Sequence, residues 1–514
     1  MASRRDELNA YTFAKKRTVA AFLQPSPTGT EEGAPRPLRA VVPSLIVGAL
    51  ILAGFGAWGM FKPTAPKDWD KPGTKVIVGK DSTTRYVVLS TGKGKGRKTL
   101  LHPVLNLASA RLLLTPQQFA VVQVGDKILD AGKPPRGPIL GIPYAPDRLP
   151  EWKDAGTPKR WAVCEQPGGK GNSVQKAAFV FAERDLKLTE GRKQLRAGQV
   201  LYVQGQDRTR YLVDASGTKY RVDEVATDNG HLTNALVGSS LPQPVTDDWL
   251  ATLHDGTPVA FPQIPGTIGA PAHIQGQLSA EENKVGMVLR TETGNGTQHY
   301  VVLEGKVQPV SEFTAWLLIN SPQTAPLNLD SKSRAVGLQD FVPDSRTFAG
   351  QGARWPAHKA KQVNSASGGG RDTVCSVLRK VDDAGRSTLS VWAGTEYPAA
   401  INAGGTSTYV TPGSGLLYTQ IRGRQTRPDG SLFLVTDTGL RYAVQANGDS
   451  DAERSDIGTG DQQGQGDGRP EPSQAQIRLG YEKVVPSLVP IAWSEFLSKG
   501  PRLDTNSARQ PQGS

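Results

Sequence analysis

Residues 41–61 read VVPSLIVGALILAGFGAWGMF, 21 positions without a charge. A helix rising ~1.5 Å per residue needs about 20 apolar residues to cross the ~30 Å hydrocarbon core of a bilayer, so the stretch predicts a membrane-spanning helix. It divides a basic head, residues 1–40, from the remainder and puts the two on opposite sides. The head carries Arg4, Arg5, Lys15, Lys16, Arg17, Arg36 and Arg39 against Asp6, Glu7, Glu31 and Glu32. Cationic flanks stay cytoplasmic, which places the head inside and the bulk outside, at a plasma membrane. A cleaved signal peptide fits poorly: the run starts at residue 41 and exceeds the usual ~7–15-residue apolar core.

The remainder is too long for one hydrophobic core, so several units are expected. With 57 glycines, 38 prolines and 21% charged residues the composition is turn-rich and β-leaning. Of the net charge of +12, the head's seven cations and four anions supply +3, leaving about +9 outside. An outward location and scattered cations argue against nucleic acid; the reading is a solvated basic surface, with contact to anionic wall polymer or lipid headgroups as the alternative. Two cysteines, Cys164 and Cys375, lie on the outer side. An oxidising space permits a disulfide, for which the chain-entropy account gives roughly 5 kcal/mol; two unpaired buried thiols remain the alternative. The paired spacing of a zinc site is missing.

In the head, Leu8, Tyr11, Val19 and Phe22 recur at helical spacing around Lys15-Lys16-Arg17, predicting an amphipathic helix from about Asp6 to Leu23, or else a loose basic tether. Residues 25–37 are linker-like. Outside, a weak repeat recurs four times: an aromatic and two aliphatics, a turn, another strand. The aromatics are Tyr86, Tyr211, Tyr300 and Phe433, each preceded by another β-like run: 75–78, 199–203, 285–289 and 415–418. Each reads as a small antiparallel meander. Short helical patterns follow the first three, at 104–108, 224–226 and 311–317. The irregular spacing leaves two long gaps. One holds Cys164; the other holds Trp355, Cys375 and the alternating Leu389-Ser390-Val391-Trp392. A disulfide would join them into one central body. Residues 447–476 are glycine-rich and acidic with three apolar side chains, too few to offset ordering, and should be disordered.

The resulting division is a head (1–40), a spanning helix (41–61), repeat 1 (72–120), a first central segment (121–185), repeat 2 (186–255), repeat 3 (256–325), a second central segment (326–400), repeat 4 (401–446 with 477–497, returning to the central body), the acidic insertion (447–476) and a polar tail (498–514). The expected class is a mixed, β-rich α+β ectodomain, elongated or shaped as a distorted propeller, plus the spanning helix and the short cytoplasmic one.

Catalytic signals are sparse. Gly92-Lys93-Gly94-Lys95-Gly96-Arg97-Lys98-Thr99 resembles a phosphate-cradling loop in composition only; its spacing is wrong and its context is strand-turn-strand, which predicts a solvated hairpin tip. Residues 166–170 fail alike. Neither G-x-S-x-G nor H-E-x-x-H occurs. His102, His231, His254, His273, His299 and His358 are scattered, and Asp247-Asp248 and Asp382-Asp383 read as turn chemistry. No catalytic, cofactor-binding or metal-ligating residue is assigned, and an enzyme is not favoured.

Several strings together resemble the EccB family, the single-pass core component of type VII (ESX) secretion systems: Leu8-Asn9-Ala10-Tyr11-x-Phe13 with Lys16-Arg17; Leu105 to Leu113; Gly141-Ile142-Pro143-x-Ala145-Pro146-Asp147-Arg148-Leu149-Pro150; Trp161-Ala162-Val163-Cys164; and Val489-Pro490-Ile491-Ala492-Trp493 with Gly500-Pro501-x-Leu503-Asp504. The resemblance implies four β-repeats around a central domain linked by Cys164 and Cys375. It also implies assembly with an FtsK/SpoIIIE-like ATPase, a multispanning subunit and a mycosin protease into a complex, often described as hexameric, that exports WXG100-type proteins. The family is often labelled an ATPase; ATP enters through that label alone.

Overall fold

The computed structural model describes residues 3–23, 38–60, 65–92, 94–116, 119–168, 173–224, 230–294, 296–348, 354–366, 370–401, 407–423, 430–445, 457 and 474–512. Two helices open the chain, α1 (Arg4–Leu23) and α2 (Leu38–Met60). Asp6 and Glu7 lie in the first turn of α1, where the helix dipole favours anions. None of its residues is buried, and Leu8, Tyr11, Val19 and Phe22 are exposed. Along α2 the apolar side chains are exposed as well, Leu52 at 76% and Phe55 at 75%. Among the described residues no helix is long and apolar enough to cross a membrane, the side chains of α2 being described only over residues 41–56. The linker at 25–37 lies outside the described residues.

Beyond residue 64 the described residues form five sheets, and four of them share one topology. The first contains β1 (Lys75–Gly79), β2 (Arg85–Thr91), β3 (Lys98–Pro103) and β4 (Ala120–Val124) in the order β3-β2-β1-β4. The meander β1–β3 is antiparallel; α3 (Leu107–Leu113) then carries the chain across, and β4 pairs in parallel with β1. After α4 (Asp126–Leu129), Arg136 makes a parallel bridge to Leu101 of β3.

The same scheme recurs with β7 (Gln199–Gln204), β8 (Arg210–Asp214), β9 (Thr218–Arg221), α6 (His231–Val237), β10 (Gln243–Pro244), α7 (Asp247–Leu250) and β11 (His254–Asp255), where β10 pairs with β7 and β11 with β9. It recurs with β12 (Val288–Thr293), β13 (Gly296–Leu303), β14 (Lys306–Val310), α8 (Glu312–Ile319) and β15 (Arg334–Ala335), closed by a Val307–Pro343 bridge. The last copy holds β20 (Leu416–Ile421), β21 (Ser431–Val435), β22 (Leu440–Ala443), α9 (Gln474–Arg478), β23 (Ser487–Pro490), α10 (Ile491–Ser494) and β24 (Ser498–Lys499). Glycines at φ +79° (Gly217), +69° (Gly305) and +78° (Gly439) make the tight turns between second and third strands, a backbone region that glycine enters without strain.

The fifth sheet draws on both insertions: β5 (Arg160–Pro167), β6 (Val174–Phe181), β17 (Thr373–Val381), β18 (Ser387–Gly394) and β19 (Thr408–Val410), in the order β18-β17-β5-β6-β19. From the second insertion, β16 (Lys361–Gln362) instead lengthens the edge of β7.

The expected propeller-like form is corrected: the sheets close neither a barrel nor a propeller. Shared cores string them in an open row. One cluster joins the first and last of the four sheets, through Val76, Val87, Leu417 and Leu434. A second joins the last to the central sheet and the second, through Tyr418, Trp493, Trp161, Leu201 and Trp249. A third joins the second sheet to α8 of the third, through Tyr202, Leu236, Phe313 and Leu317. Among the described residues no cluster joins the first sheet to the third, the contact that a closed ring would need.

Three local expectations change. The helix expected at 224–226 begins at His231, because Gly230 at φ +80° sets its start; residues 225–229 lie outside the described residues. Of the stretch expected to be disordered, most lies outside the described residues, but Ile457 packs half-buried on the first-and-last core and Gln474–Gln476 belong to α9, with Ala475 buried. The stretch read as a polar tail is built in: Leu503, Asp504 and Ala508 are buried, α11 (Thr505–Ala508) rests on α3, and Pro511 bridges Leu140.

Candidate functional site

The central sheet is where the chain's distant parts meet. Cys164 of β5 and Cys375 of β17 stand directly opposite one another in an antiparallel pair and are disulfide-bonded, with Cα atoms 4.0 Å apart across a sequence separation of 211. This is close to the separation of a non-hydrogen-bonded strand pair, whose side chains lie nearest each other. The bond sits on one face among Ala162, Phe179, Phe181, Val377 and Trp392. The opposite face carries Trp161, Val163, Ala178 and Val180 and is covered by the second and last of the four sheets. Both neighbours present a tryptophan from the corresponding short helix, Trp249 of α7 and Trp493 of α10, each buried. Trp249 donates its indole N–H to the Val163 carbonyl at 3.0 Å.

A carboxylate lies in this apolar layer. Glu165 is fully buried and accepts hydrogen bonds from the Thr246 backbone N–H at 2.8 Å and from the Thr246 hydroxyl. Burial pushes its carboxyl up from the usual range; the Thr246 bonds act against that. Thr246 also caps α7, so one residue links the carboxylate to the helix that presents Trp249. Arg441 is buried too, held by Gln420 Oε1 and Ser494 Oγ, each at 2.7 Å. Lys159, with its side chain 2% exposed, donates to Asp154 Oδ1 at 3.0 Å. Asp154, in α5 (Trp152–Gly156), accepts in turn from Ser414 Oγ at 2.9 Å and Gly415 N at 2.8 Å, tying the central insertion to the last sheet.

Between α7 and α10, on β6, lies a groove of ≈ 460 Å³ lined by Lys176, Asp248, Ala251, Ile491, Glu495 and Phe496. A Lys176–Asp248 ion pair at 2.7 Å crosses its rim. Its chemistry is that of a contact surface: apolar at the base, with charges of both signs at the edge. Gly92 and Gly94–Arg97 lie at the β2–β3 hairpin tip and run directly into β3 at Lys98, whereas a phosphate-cradling loop opens a helix; Lys93 lies outside the described residues. Gln166 and Pro167 end β5; Gly169 and Lys170 lie outside the described residues. Of the histidines, His299 and His358 line one pocket together with Glu312. His102 is buried with Nδ1 3.0 Å from the Pro138 carbonyl, and burial pushes its imidazole down. His254 contacts Ser387 O, while His358 faces Glu312 at 3.4 Å. Among the described residues no cluster of His, Cys, Asp and Glu has metal-binding geometry. Asp382 caps the β17–β18 turn through the N–H groups of Ala384 and Arg386; Asp247 and Asp248 open α7.

Residues 1–513 match the family described as "Type VII secretion system ESX-1, transport TM domain B". The chain belongs to this family, EccB. A relative in Mycolicibacterium smegmatis, named "ESX-3 secretion system ATPase EccB3", is 29% identical over 432 residues, covering 79% of this chain and 76% of the relative. Two solved structures share the fold: a chain of an intact ESX-5 inner membrane complex (TM-score 0.57, 22% identity, covering 100% of this chain and 96% of that one) and the EccB3 dimer from the ESX-3 core complex (TM-score 0.54, 23% identity, 85% and 99%).

Two EccB-like strings, 105–113 and 141–150, turn out to be one structural unit. Asn106 caps α3: its Oδ1 accepts from Ser109 N at 2.9 Å and Oγ at 2.7 Å, while its amide donates to Ile142 O at 2.8 Å. Ser109 Oγ accepts from Ile142 N at 2.8 Å, completing the ring. Asp147 accepts from Leu107 N at 3.2 Å and pairs with Arg85 at 2.7 Å. Sequence reasoning found these strings but not their mutual contact, and it passed over Glu165, whose place beside Cys164 in an apolar run was the available signal.

Proposed function

We propose that this EccB chain is a structural, single-pass membrane subunit of a type VII secretion complex. In this reading α2 crosses the bilayer, α1 lies on the cytoplasmic side, and the five sheets stand outside. At ~1.5 Å per residue, the 23 residues of α2 are long enough to span with its apolar side chains turned to lipid. The four like sheets are the four repeats, each extending from its meander to the closing parallel bridge, around the disulfide-linked central sheet.

The observation that carries this reading is the family match over residues 1–513, which takes in the helix and every sheet. Solved relatives come from inner membrane complexes and a periplasmic assembly. By that likeness the chain assembles with an FtsK/SpoIIIE-like ATPase, a multispanning subunit and a mycosin protease, and serves export of WXG100-type proteins. The test is the mass and composition of the complex extracted under mild detergent. Co-purification of an FtsK-like ATPase and a multispanning protein is expected; recovery of the chain alone contradicts it. Nucleotide hydrolysis is a second reading, favoured by the word ATPase in the relatives' names. Pure protein would then release phosphate in proportion to its concentration with saturable ATP dependence, and loss of that activity on further purification would dismiss it.

A further inference from the structure

Its length sets the basic β2–β3 hairpin apart from its counterparts. In the other three repeats the turn between second and third strands is short, as at 304–305 or 436–439; in the first it spans 92–97. Gly92 is structural: it sits at φ +89°, and a Cβ there would meet the Gly96 carbonyl at 2.8 Å. Lys95, Arg97 and Lys98 are exposed, and no acidic residue occurs between Asp81 and Asp126.

The sheet fixes which way this tip points. Gly73 N donates to Val88 O and β1 runs antiparallel to β2, so the end at which β1 begins is the end from which the β2–β3 loop projects. That is the end where the chain arrives from α2. Lys75 Nζ holds the Lys67 and Asp68 carbonyls there, at 3.0 and 2.6 Å. Ala65 and Trp69 pack on the outer face of the same sheet, against the cluster of Ile77, Tyr86 and Val88. From Met60, the last residue of α2, to Ala65 the chain can reach at most ~18 Å. The opposite end of the sheet carries the β1–β2 turn, with Asp126 accepting from Asp81 N and Ser82 N.

We infer that the end of the β2–β3 hairpin carrying Lys95, Arg97 and Lys98 is a headgroup-binding tip: it rests on the phosphate anions of the outer leaflet beside the anchor and holds the first repeat at a fixed distance from the membrane. The inference rests on the proposed spanning role of α2. Cations at an anionic surface each contribute about 1 kcal/mol, or about fivefold, so Lys95 and Lys98 together contribute about 25-fold. With a Debye length of ~8 Å at physiological salt, the contact requires the tip to be close to the headgroups.

The test uses the full chain in vesicles. Both native cysteines are in the disulfide, so a cysteine introduced at Gly96, where an added Cβ meets nothing within 4 Å, takes a single fluorescent label. A second variant, Asp81→Cys, labels the far end. Energy transfer to a dye on lipid headgroups is measured in phosphatidylglycerol and in phosphatidylcholine vesicles. Strong transfer from the Gly96 label is expected in the anionic vesicles only. It should fall to the neutral-lipid value at about 0.5 M salt and in the Lys95→Gln/Arg97→Gln/Lys98→Gln variant. The Asp81 label should stay weak throughout. Equal transfer from the Gly96 label in both lipids, or none while the protein resists alkaline extraction, overturns the inference and leaves the anchor standing. Release of the protein by alkali removes the anchor and the inference with it.

Discussion

Glu165 shows how a single residue conditions the centre of this molecule. Its carboxyl is raised by burial, so between the unfolded value near 4.3 and the raised folded value the native state holds the extra proton. Its contribution to stability is therefore present below about pH 4 and is lost as pH rises through the folded value. Glu165→Gln should gain stability relative to the native chain between pH 4 and pH 7 in urea melts; parallel pH profiles would contradict this. Thr246→Val removes the hydroxyl donor from the buried Glu165 carboxyl and should cost about 1–3 kcal/mol in the same melts. Asn106→Ala loses the α3 cap together with the tie to Ile142, and about 2–3 kcal/mol is expected. Replacing Cys164 and Cys375 with alanine should cost about 2–5 kcal/mol, and the native chain under reducing conditions should approach the variant's melting curve.

Among the elements, α2 carries the proposed topology. Arginines at Leu50 and Ile51, in the middle of the helix, should each cost about 2.5–3.5 kcal/mol of insertion, so the doubly substituted chain should move from the alkali-resistant to the soluble fraction. The strands of the meanders were legible because apolar runs such as Tyr86–Leu89, Tyr211–Val213 and Phe433–Val435 end at turn glycines. The closing strands were not. β10, β11, β15 and β24 are two residues long, too short to show a period, and each is held by a parallel partner distant in sequence. Asn364 was equally hidden. Its side chain accepts from Tyr202 N at 2.8 Å and donates to Tyr202 O at 2.9 Å, standing in for a strand between β16 and β10 along the edge of β7. No local pattern distinguishes that asparagine from one in a loop.

At the scale of the whole molecule, four like sheets are threaded into an open row by shared cores, and the central sheet joins two of them through Trp249 and Trp493. Each Trp→Ala should cost about 3–5 kcal/mol. Because both lie in one cluster, the double variant should depart from additivity by at least 0.5 kcal/mol in urea melts. The pairing of two cysteines and the alternating Leu389–Trp392 strand pointed to a central body; its role as the shared core of two neighbours needed the tertiary contacts. The side of the membrane on which that body stands decides the whole reading, and the direct measurement is protease digestion of intact, wall-stripped cells with antibodies to both ends of the chain. The prediction is cleavage of the region beyond residue 65 with α1 and the basic head protected. Protection of the large region with trimming of the head would contradict it.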